Sequence, residues 1–445
     1  MFNPVRSHFR GDAVGLFREA GIRNAQDIAS WRLCIGCGAC VCACPGDRLR
    51  LYDVLEEGIR PFLDERGCDH CGKCVEVCPG YTTVHHNASI AGKLGEEIHE
   101  GFGPILEIWE GYAVDEEIRF SGSSGGLVSA LAMYCMEKEG MYATIHTGID
   151  PDKPLKNKTV MSRSRSDLLR RTGSRYSPAS PCDGLKQIES SPSPCVFIGK
   201  PCDVVGTRMS QAVRDELNRK IGVNIAFFCA GTPSTMGLLE LLTYMKVDPI
   251  SVNEIRFRGK GWPGKFMVQT RGEQSSTKEI SYMESWGFLQ KYRPYRCHLC
   301  PDGTGEFADL SCGDPWYRGV QENETGYSLV LVRTEKGKKI LHSAIKAGYV
   351  CLNQVNPNIL VDSQENLLQK RRAIWGRTLV MRLFGIPTPN FVGFSLFKNW
   401  RKLSIKEKLR STLGTARRII TRRYYKKIIL YDIKCLSGIS AGIFL

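Results

Sequence analysis

CVFIGKPCDVVGTRMSQAVRDELNRKIGVNIAFFC, residues 195–229, reads as strand, helix, strand. CVFIG (195–199) and GVNIAFF (222–228) are short apolar runs with β-branched and aromatic residues. DVVGTRMSQAVRDELNRK (203–220) between them is a longer helical pattern. A crossover of this kind makes the two strands parallel, with their C-terminal ends side by side. Cys202 follows the first strand closely and Cys229 follows the second. Both then lie on one rim of the sheet, where open α/β sheets bind ligands.

The alternation continues on both sides. ILEIWEGYAV (105–114) predicts a strand, GGLVSALAMYCMEKEG (125–140) a helix and YSLVLVR (327–333) another strand. Residues from about 107 to 350 therefore predict an α/β domain, closed by the two prolines of GIPTPNF (385–391). Residues 1–33 read as a partly helical lead-in, and 81–105 as a connector with little periodicity. The expected organisation is a multidomain α+β and α/β chain with divisions at 1–95, 96–391 and 392–445. Its 445 residues suit two to three domains, and 42% hydrophobic residues can supply a core.

Nineteen cysteines are many for a chain whose start lacks the apolar run of an export signal. Nine fall between 34 and 78, and the odd total disfavours a disulfide scaffold. Cys34-x2-Cys37-x2-Cys40-x3-Cys44-Pro45 is followed by Cys68-x2-Cys71-x2-Cys74-x3-Cys78-Pro79. This is the spacing of bacterial two-cluster ferredoxins, in which the cysteine before proline reaches the other cube. Cys34, Cys37, Cys40 and Cys78 are assigned to one [4Fe–4S] cluster, and Cys68, Cys71, Cys74 and Cys44 to the second. Zinc ribbons fit badly, because zinc knuckles pair Cys-x-x-Cys units four ligands at a time. Gly36, Gly38 and Gly72 are expected to permit close backbone approach to the clusters. Cys42 is expected to be a packing residue.

Such a module moves single electrons and needs a terminus. RFSGSSGG (119–126) puts serines and glycines before a helix, where free N–H groups face phosphate. It is neither a Walker loop nor a dinucleotide fingerprint, and a plain capped helix reads the same way. RRTGSRYSPASPC (170–182) joins a turn, a cation and a ring. The Cys-x-x-Cys pair Cys297 and Cys300 is half a metal site, or a redox disulfide without thioredoxin context. Lys200 beside Cys202 either favours an anionic reduced cofactor or sits in solvent. Asp309 and Asp314 either orient a cofactor or cap turns. His298 reads as a spacer within the pair. Cys135, Cys182, Cys195, Cys312, Cys351 and Cys435 read as packing.

GSSGG (122–126), TGSRYSP (172–178), GKPCDVVGTR (199–208), FFCAGTPS (227–234), CHLCPDGTGEFADLSCGD (297–314) and GIPTP (385–389) occur in order. Together they resemble the coenzyme F420 hydrogenase/dehydrogenase beta subunit family over about 105–391. That resemblance implies an oxidoreductase with an α/β FAD-binding domain after the ferredoxin module. The flavin would exchange electrons with iron–sulfur clusters, and hydride with an organic acceptor. Ser123, Ser124, Gly125, Gly126, Gly173, Ser174, Arg175 and Tyr176 match the family's flavin-site motifs. Cys202, Cys229, Cys297 and Cys300 match its ligands for a third [4Fe–4S] cluster. Expected partners are ferredoxin or another electron donor and an acceptor such as coenzyme F420. The alternatives are a ferredoxin-dependent reductase of another biosynthetic substrate, as in cell-envelope polysaccharide synthesis, or an electron-transfer subunit with no substrate of its own. No nucleophilic side chain is required, and no hydrolytic arrangement stands out.

The net charge is +15, from 61 Lys and Arg against 46 Asp and Glu. Residues 392–445 hold 13 Lys and Arg against two acids, so the tail carries +11 and the remainder +4. Ile405, Leu409, Leu413, Ala416 and Ile420 have helical spacing, which predicts a basic amphipathic helix. It suits an anionic membrane surface, or equally a solvated or partner-binding helix. The remainder lacks a matching basic domain, which argues against nucleic acid. The expected location is cytoplasmic, with peripheral placement at the membrane face as the variant. The longest apolar runs are too short to predict a transmembrane helix.

Overall fold

A computed structural model describes residues 21–85, 94–272, 275–320 and 324–428. Most of the lead-in, the end of the tail and Cys435 lie outside these residues. The strands are β1 Leu49–Val54, β2 Gly58–Leu63, β3 Thr82–Val84, β4 Glu107–Ala113, β5 Thr144–Ile149, β6 Asn157–Ser162, β7 Cys195–Gly199 and β8 Ile221–Phe227. After them come β9 Val252–Arg256, β10 Lys265–Thr270, β11 Thr277–Ser281, β12 Leu310–Gly313, β13 Ser328–Val332, β14 Val350–Gln354 and β15 Asn390–Val392.

The central sheet has eight strands in the order β14-β4-β13-β12-β8-β7-β5-β6. Its middle, β12-β8-β7-β5, is parallel, and the strands outside it pair antiparallel. β7 and β8 are neighbours, as the crossover requires: Val196 pairs with Val223 and Gly199 with Ala226. β7 is buried at all five positions, the pattern of a strand covered on both faces. One face packs on the helix Leu127–Glu137 through Leu127, Leu131 and Cys135. The other meets Val204 of the crossover and carries Phe197. A three-stranded sheet, β11-β10-β9, has its own core around Phe257 and Phe266.

The crossover is two helices rather than the single one expected, Pro201–Val213 and Asp215–Lys220. Proline opens the first, and the Asp203 carboxylate accepts from the Lys200 backbone N–H at 2.9 Å. Arg214 leaves the helical region at φ −131° and ψ 99°. Its guanidinium instead donates to the Cys42 carbonyl at 2.9 Å and pairs with Glu189.

The cysteine-dense segment is seated on the central domain. Cys42 Sγ donates to the carbonyls of Cys182 (3.1 Å) and Asp183 (3.2 Å), and Ser180 Oγ donates to the Gly36 carbonyl at 2.5 Å. Cys37, Ala39, Cys42 and Val77 share one apolar core with Cys182, Phe197 and Val204. Cys42 is thus a packing residue, as read. Among the described residues of 81–105, which read as a connector, β3 pairs in parallel with β15, and Glu96–Phe102 is a helix. β15 runs across the 391/392 division, so the chain is continuous in structure there.

The tail forms the helices Leu396–Arg401 and Ile405–Thr421. The longer one opens with a capping box between Ser404 and Glu407. It docks on Ile374–Leu383, burying Thr415 and Ile419. The expected apolar stripe points the other way: Ile405 is 78% exposed, Leu413 66%, and Leu409 and Ile420 are also exposed.

Candidate functional site

Twelve cysteines fall into three sets of four. Cys40 lies within electrostatic reach of Cys34, Cys37 and Cys78, and all four are buried. Cys74 lies within reach of Cys44, Cys68 and Cys71, the last of which is exposed. Cys202 faces Cys229 and Cys300, and Cys229 faces Cys297 and Cys300. The rim placement inferred from topology is therefore observed, and the Cys-x-x-Cys pair joins it through the short helix Tyr295–His298.

Burial pushes the thiols of Cys34, Cys40, Cys78, Cys202 and Cys300 up, and those of Cys74 and Cys229 to about 11. Neighbouring thiols add to the rise at most of these sites. A thiolate is costly there unless a cationic centre binds it. Among the described residues no three His, Cys, Asp or Glu side chains converge as for one metal ion. A four-iron cube takes one thiolate at each of four corners, and each set offers four.

The sets are strung together. Cys40 is also within reach of Cys74, which links the first two. Arg296 links the first to the third. It is 4% exposed, and it donates from Nε to the Gly80 carbonyl (3.0 Å) and from Nη2 to that of Pro79 (3.2 Å), directly after Cys78. Its charge acts on both Cys34 and Cys300.

Gly36, Gly38 and Gly72 all have positive φ, so each position requires the left-handed backbone. A Cβ on Gly36 would meet the Ile59 carbonyl at 2.7 Å. Gly80, not singled out in the sequence, is the close one, with a Cβ position 3.3 Å from Cys78 Sγ.

Beyond the third set lies a cavity of about 1380 Å³, whose wall includes Cys229, Lys200, Ser123, Ser124, Gly126, Gly173, Ser174, Arg175, Tyr176 and Asp314. Two segments fifty residues apart thus meet at one site, and Ser174 N donates to Ser123 Oγ at 2.5 Å. Gly126 caps Leu127–Glu137 at φ +76° with no side-chain bond, leaving the first-turn N–H groups to the cavity. A Cβ there would meet the Ile118 carbonyl at 2.9 Å.

Other residues singled out in the sequence have partners within the protein. Gly125 is outside the lining; its N–H donates to Ser328 Oγ at 2.8 Å, and a Cβ would strike the Gly111 carbonyl. Asp309 is a sheet brace: it accepts from Asn224 N and Thr334 Oγ1 at 2.8 Å and pairs with Arg208 at 3.0 Å. The Arg175 guanidinium turns into the protein, to Asn157 Oδ1 and the carbonyls of Pro154 and Ile255. Asp314 lines the cavity, but its oxygens accept from Arg258 (2.8 and 2.9 Å) and Trp262 Nε1 (2.8 Å). Lys200 Nζ is paired with Asp203 at 2.7 Å, buried, and not in solvent.

The sequence reading singled out Tyr176 but missed its partners in an aromatic wall, where it packs on Trp286 at 5.0 Å and Tyr282 stacks on Trp316 at 5.6 Å. It also missed Arg258 over Tyr282 at 4.5 Å. Tyr282 and Trp286 lie on the helix Tyr282–Leu289, Trp316 follows β12 and Arg258 follows β9, where isolated aromatics look like core. Arg410 and Arg418 of the tail helix line the cavity as well.

Residues 33–81 match a family described as 4Fe-4S dicluster domain. Residues 108–186 and 194–358 match the N-terminal and C-terminal parts of the coenzyme F420 hydrogenase/dehydrogenase beta subunit. The coenzyme F420 hydrogenase subunit beta of Methanococcus voltae is 25% identical over 304 residues, 65% of this chain and 99% of that protein. The coenzyme F420-dependent sulfite reductase of Methanocaldococcus jannaschii is 27% identical, covering 71% of this chain and 46% of that protein. A chain of the coenzyme F420-reducing [NiFe] hydrogenase complex from Methanosarcina barkeri superposes with a TM-score of 0.50 at 23% identity, covering 64% of this chain and 95% of that one, which speaks to fold.

Proposed function

The chain belongs to the coenzyme F420 hydrogenase/dehydrogenase beta subunit family and is an iron–sulfur oxidoreductase; we propose that it is a flavoprotein carrying three [4Fe–4S] clusters and one FAD. The observation that carries this reading is the row of three four-cysteine sets ending at the cavity wall, where Cys229 stands with the Ser/Gly loop. The cavity fits the cofactor. It exceeds the roughly 300–1,000 Å³ of ordinary small-ligand sites and offers first-turn N–H groups for a diphosphate and aromatic faces for a ring system.

Bound there, FAD would supply hydride exchange on one side and single electrons on the other. The protein's own residues bind, orient and exclude water. Ser123 and Ser174 lock the two loops, Leu127 and Val128 present N–H groups, and Tyr176, Tyr282 and Trp286 close an apolar side. The exposed set around Cys71 is the docking point for ferredoxin or another electron donor, and the acceptor is coenzyme F420 or a related organic molecule.

Anaerobic purification with iron, sulfide and flavin counts tests the scheme. About twelve irons and one FAD per chain is expected, from three four-iron cubes. About eight irons removes the third cluster, and absent flavin removes the cavity assignment. Turnover by the isolated chain with dithionite separates a complete enzyme from a subunit without its own substrate.

The helix Ile405–Thr421 supports a membrane partner. Ile405, Leu409, Leu413 and Ile420 face solvent in one stripe, joined by Leu383 on the packed neighbour at 77% exposure. Lys406 and Arg417 flank the stripe on a tail of net +11. Charge and apolar surface together match an anionic bilayer, at about 1 kcal/mol per basic residue near the surface. No helix among the described residues is long and apolar enough to cross a membrane.

A further inference from the structure

The tail helix is inverted relative to ordinary packing. Glu407, Arg410, Ser411, Gly414, Thr415 and Arg418 line the cavity at i, i+3, i+4, i+7, i+8 and i+11 spacing, so one polar face borders it, with Arg418 half-buried and Arg410 exposed at the opening. Arg410 and Arg418 of this face share the wall with Arg293, Arg377 and Lys370 from other elements, which makes this end of the cavity positive. Arg418, Arg293, Arg377 and Lys370 all act on His298, which lines the same cavity.

Two of these cations are engaged. Arg293 donates to the carbonyls of Gln290 (2.9 Å) and Ala230 (2.8 Å), and Arg377 donates to the His298 carbonyl at 2.6 Å. Arg418, Arg410 and Lys370 have neither a hydrogen-bond nor an ion-pair partner for their side chains among the described residues. The two carboxylates of the lining cannot serve. Glu407 accepts from Ser404 N (2.8 Å) and Oγ (2.7 Å), and Asp314 is held by Arg258 and Trp262. The third cysteine set offsets Lys370 and Arg293, each within reach of Cys229. Arg418 is left half-buried with like charges beside it, a placement that an anion would relieve.

We propose that Arg410 and Arg418 form an anion site at the tail-helix end of the cavity, so that the organic acceptor carries a carboxylate or phosphate group. This rests on the cavity being the redox site. It goes beyond the family match, because residues 405–421 lie outside the matched 108–358. The helix then selects the acceptor while the Ser/Gly loop serves the cofactor.

The test is calorimetric titration of the anaerobically purified holoprotein with inorganic phosphate and, separately, malonate. One site per chain is expected. Affinity should fall at least tenfold in Arg418→Gln and further in Arg410→Gln/Arg418→Gln, remain within a few-fold in Arg418→Lys, and leave iron and flavin counts unchanged. Tighter phosphate than malonate assigns a phosphoryl group, and the reverse a carboxylate. Equal affinity in wild type and the double variant overturns the proposal, as does the absence of binding to wild type. Loss of flavin together with anion binding also overturns it, since the cations would then belong to the cofactor. If wild type holds no flavin yet binds phosphate through Arg418, the anion site stands and the flavoprotein reading falls.

Discussion

Arg296→Gln should lower the reduction potentials of two clusters at once. The guanidinium is buried between the loop after Cys78 and the Cys297 segment, and its charge acts on Cys34 and on Cys300. A reduced cluster carries one more negative charge, so a nearby cation stabilises the reduced state. Removing it makes reduction harder. At a separation on the order of 8 Å and an effective dielectric of about 20, the interaction is about 2 kcal/mol. For a one-electron couple that is about 90 mV. The substitution also removes donors from two buried carbonyls, at about 1.5–3 kcal/mol per charged hydrogen bond, so the melting temperature should fall. Arg296→Lys separates the effects: it keeps the charge but loses the two-pronged geometry, so potentials should hold while stability drops. The assay is an anaerobic redox titration followed by electron paramagnetic resonance, with thermal unfolding alongside. A shift confined to one cluster, or equal shifts in the Lys and Gln variants, would refute the idea that one charge bridges both.

Cys297→Ser should remove about four irons of about twelve, leaving the two N-terminal clusters and the flavin in place, as read by iron and flavin analysis. Retention of all iron would return the pair to an unassigned status. His146, buried with its ring bonded to Ser162 Oγ at 2.8 Å, is depressed to about 4 by burial, while its unfolded value is near 6.5. The unfolded chain therefore binds the extra proton first, and stability falls as pH drops below 6.5 toward 4. Between pH 8 and pH 5.5 this one group should cost about 1 kcal/mol, a slope that His146→Gln abolishes in denaturant titrations at matched pH. Co-sedimentation with anionic vesicles should be lost in Leu409→Glu/Leu413→Glu and kept with wild type; indifference to the double substitution rejects the membrane partner.

Much of the chemistry was readable because it is local. The two Cys-x2-Cys-x2-Cys-x3-Cys-Pro runs carry their own turns, so spacing alone predicted both N-terminal sets. Cys202 and Cys229 were placed on one rim because a strand–helix–strand crossover leaves no other arrangement. The failures have physical reasons too. Asp309 sits in a motif-like loop yet lies outside the cavity lining, because the Asn224 N–H, Thr334 and Arg208 claim its oxygens. The aromatic wall was hidden because Tyr176, the helix Tyr282–Leu289 and Trp316 come from separate segments that only the tertiary structure brings together.

The tail shows the division most clearly. Its helix, its cap at Ser404 and Glu407 and its two faces are properties of residues three and four apart, and the sequence by itself determined them. Which face turns inward is not local. That depends on what lies opposite: here Ile419 enters an apolar core with Val380 and Met381, while Arg418 borders a cavity rimmed by Arg293, Arg377 and Lys370. For Cys297 and Cys300, spacing made them half a site and the family resemblance pointed to Cys202 and Cys229; only the tertiary structure brings the four within reach of one another, because the two halves lie about seventy residues or more apart in the chain.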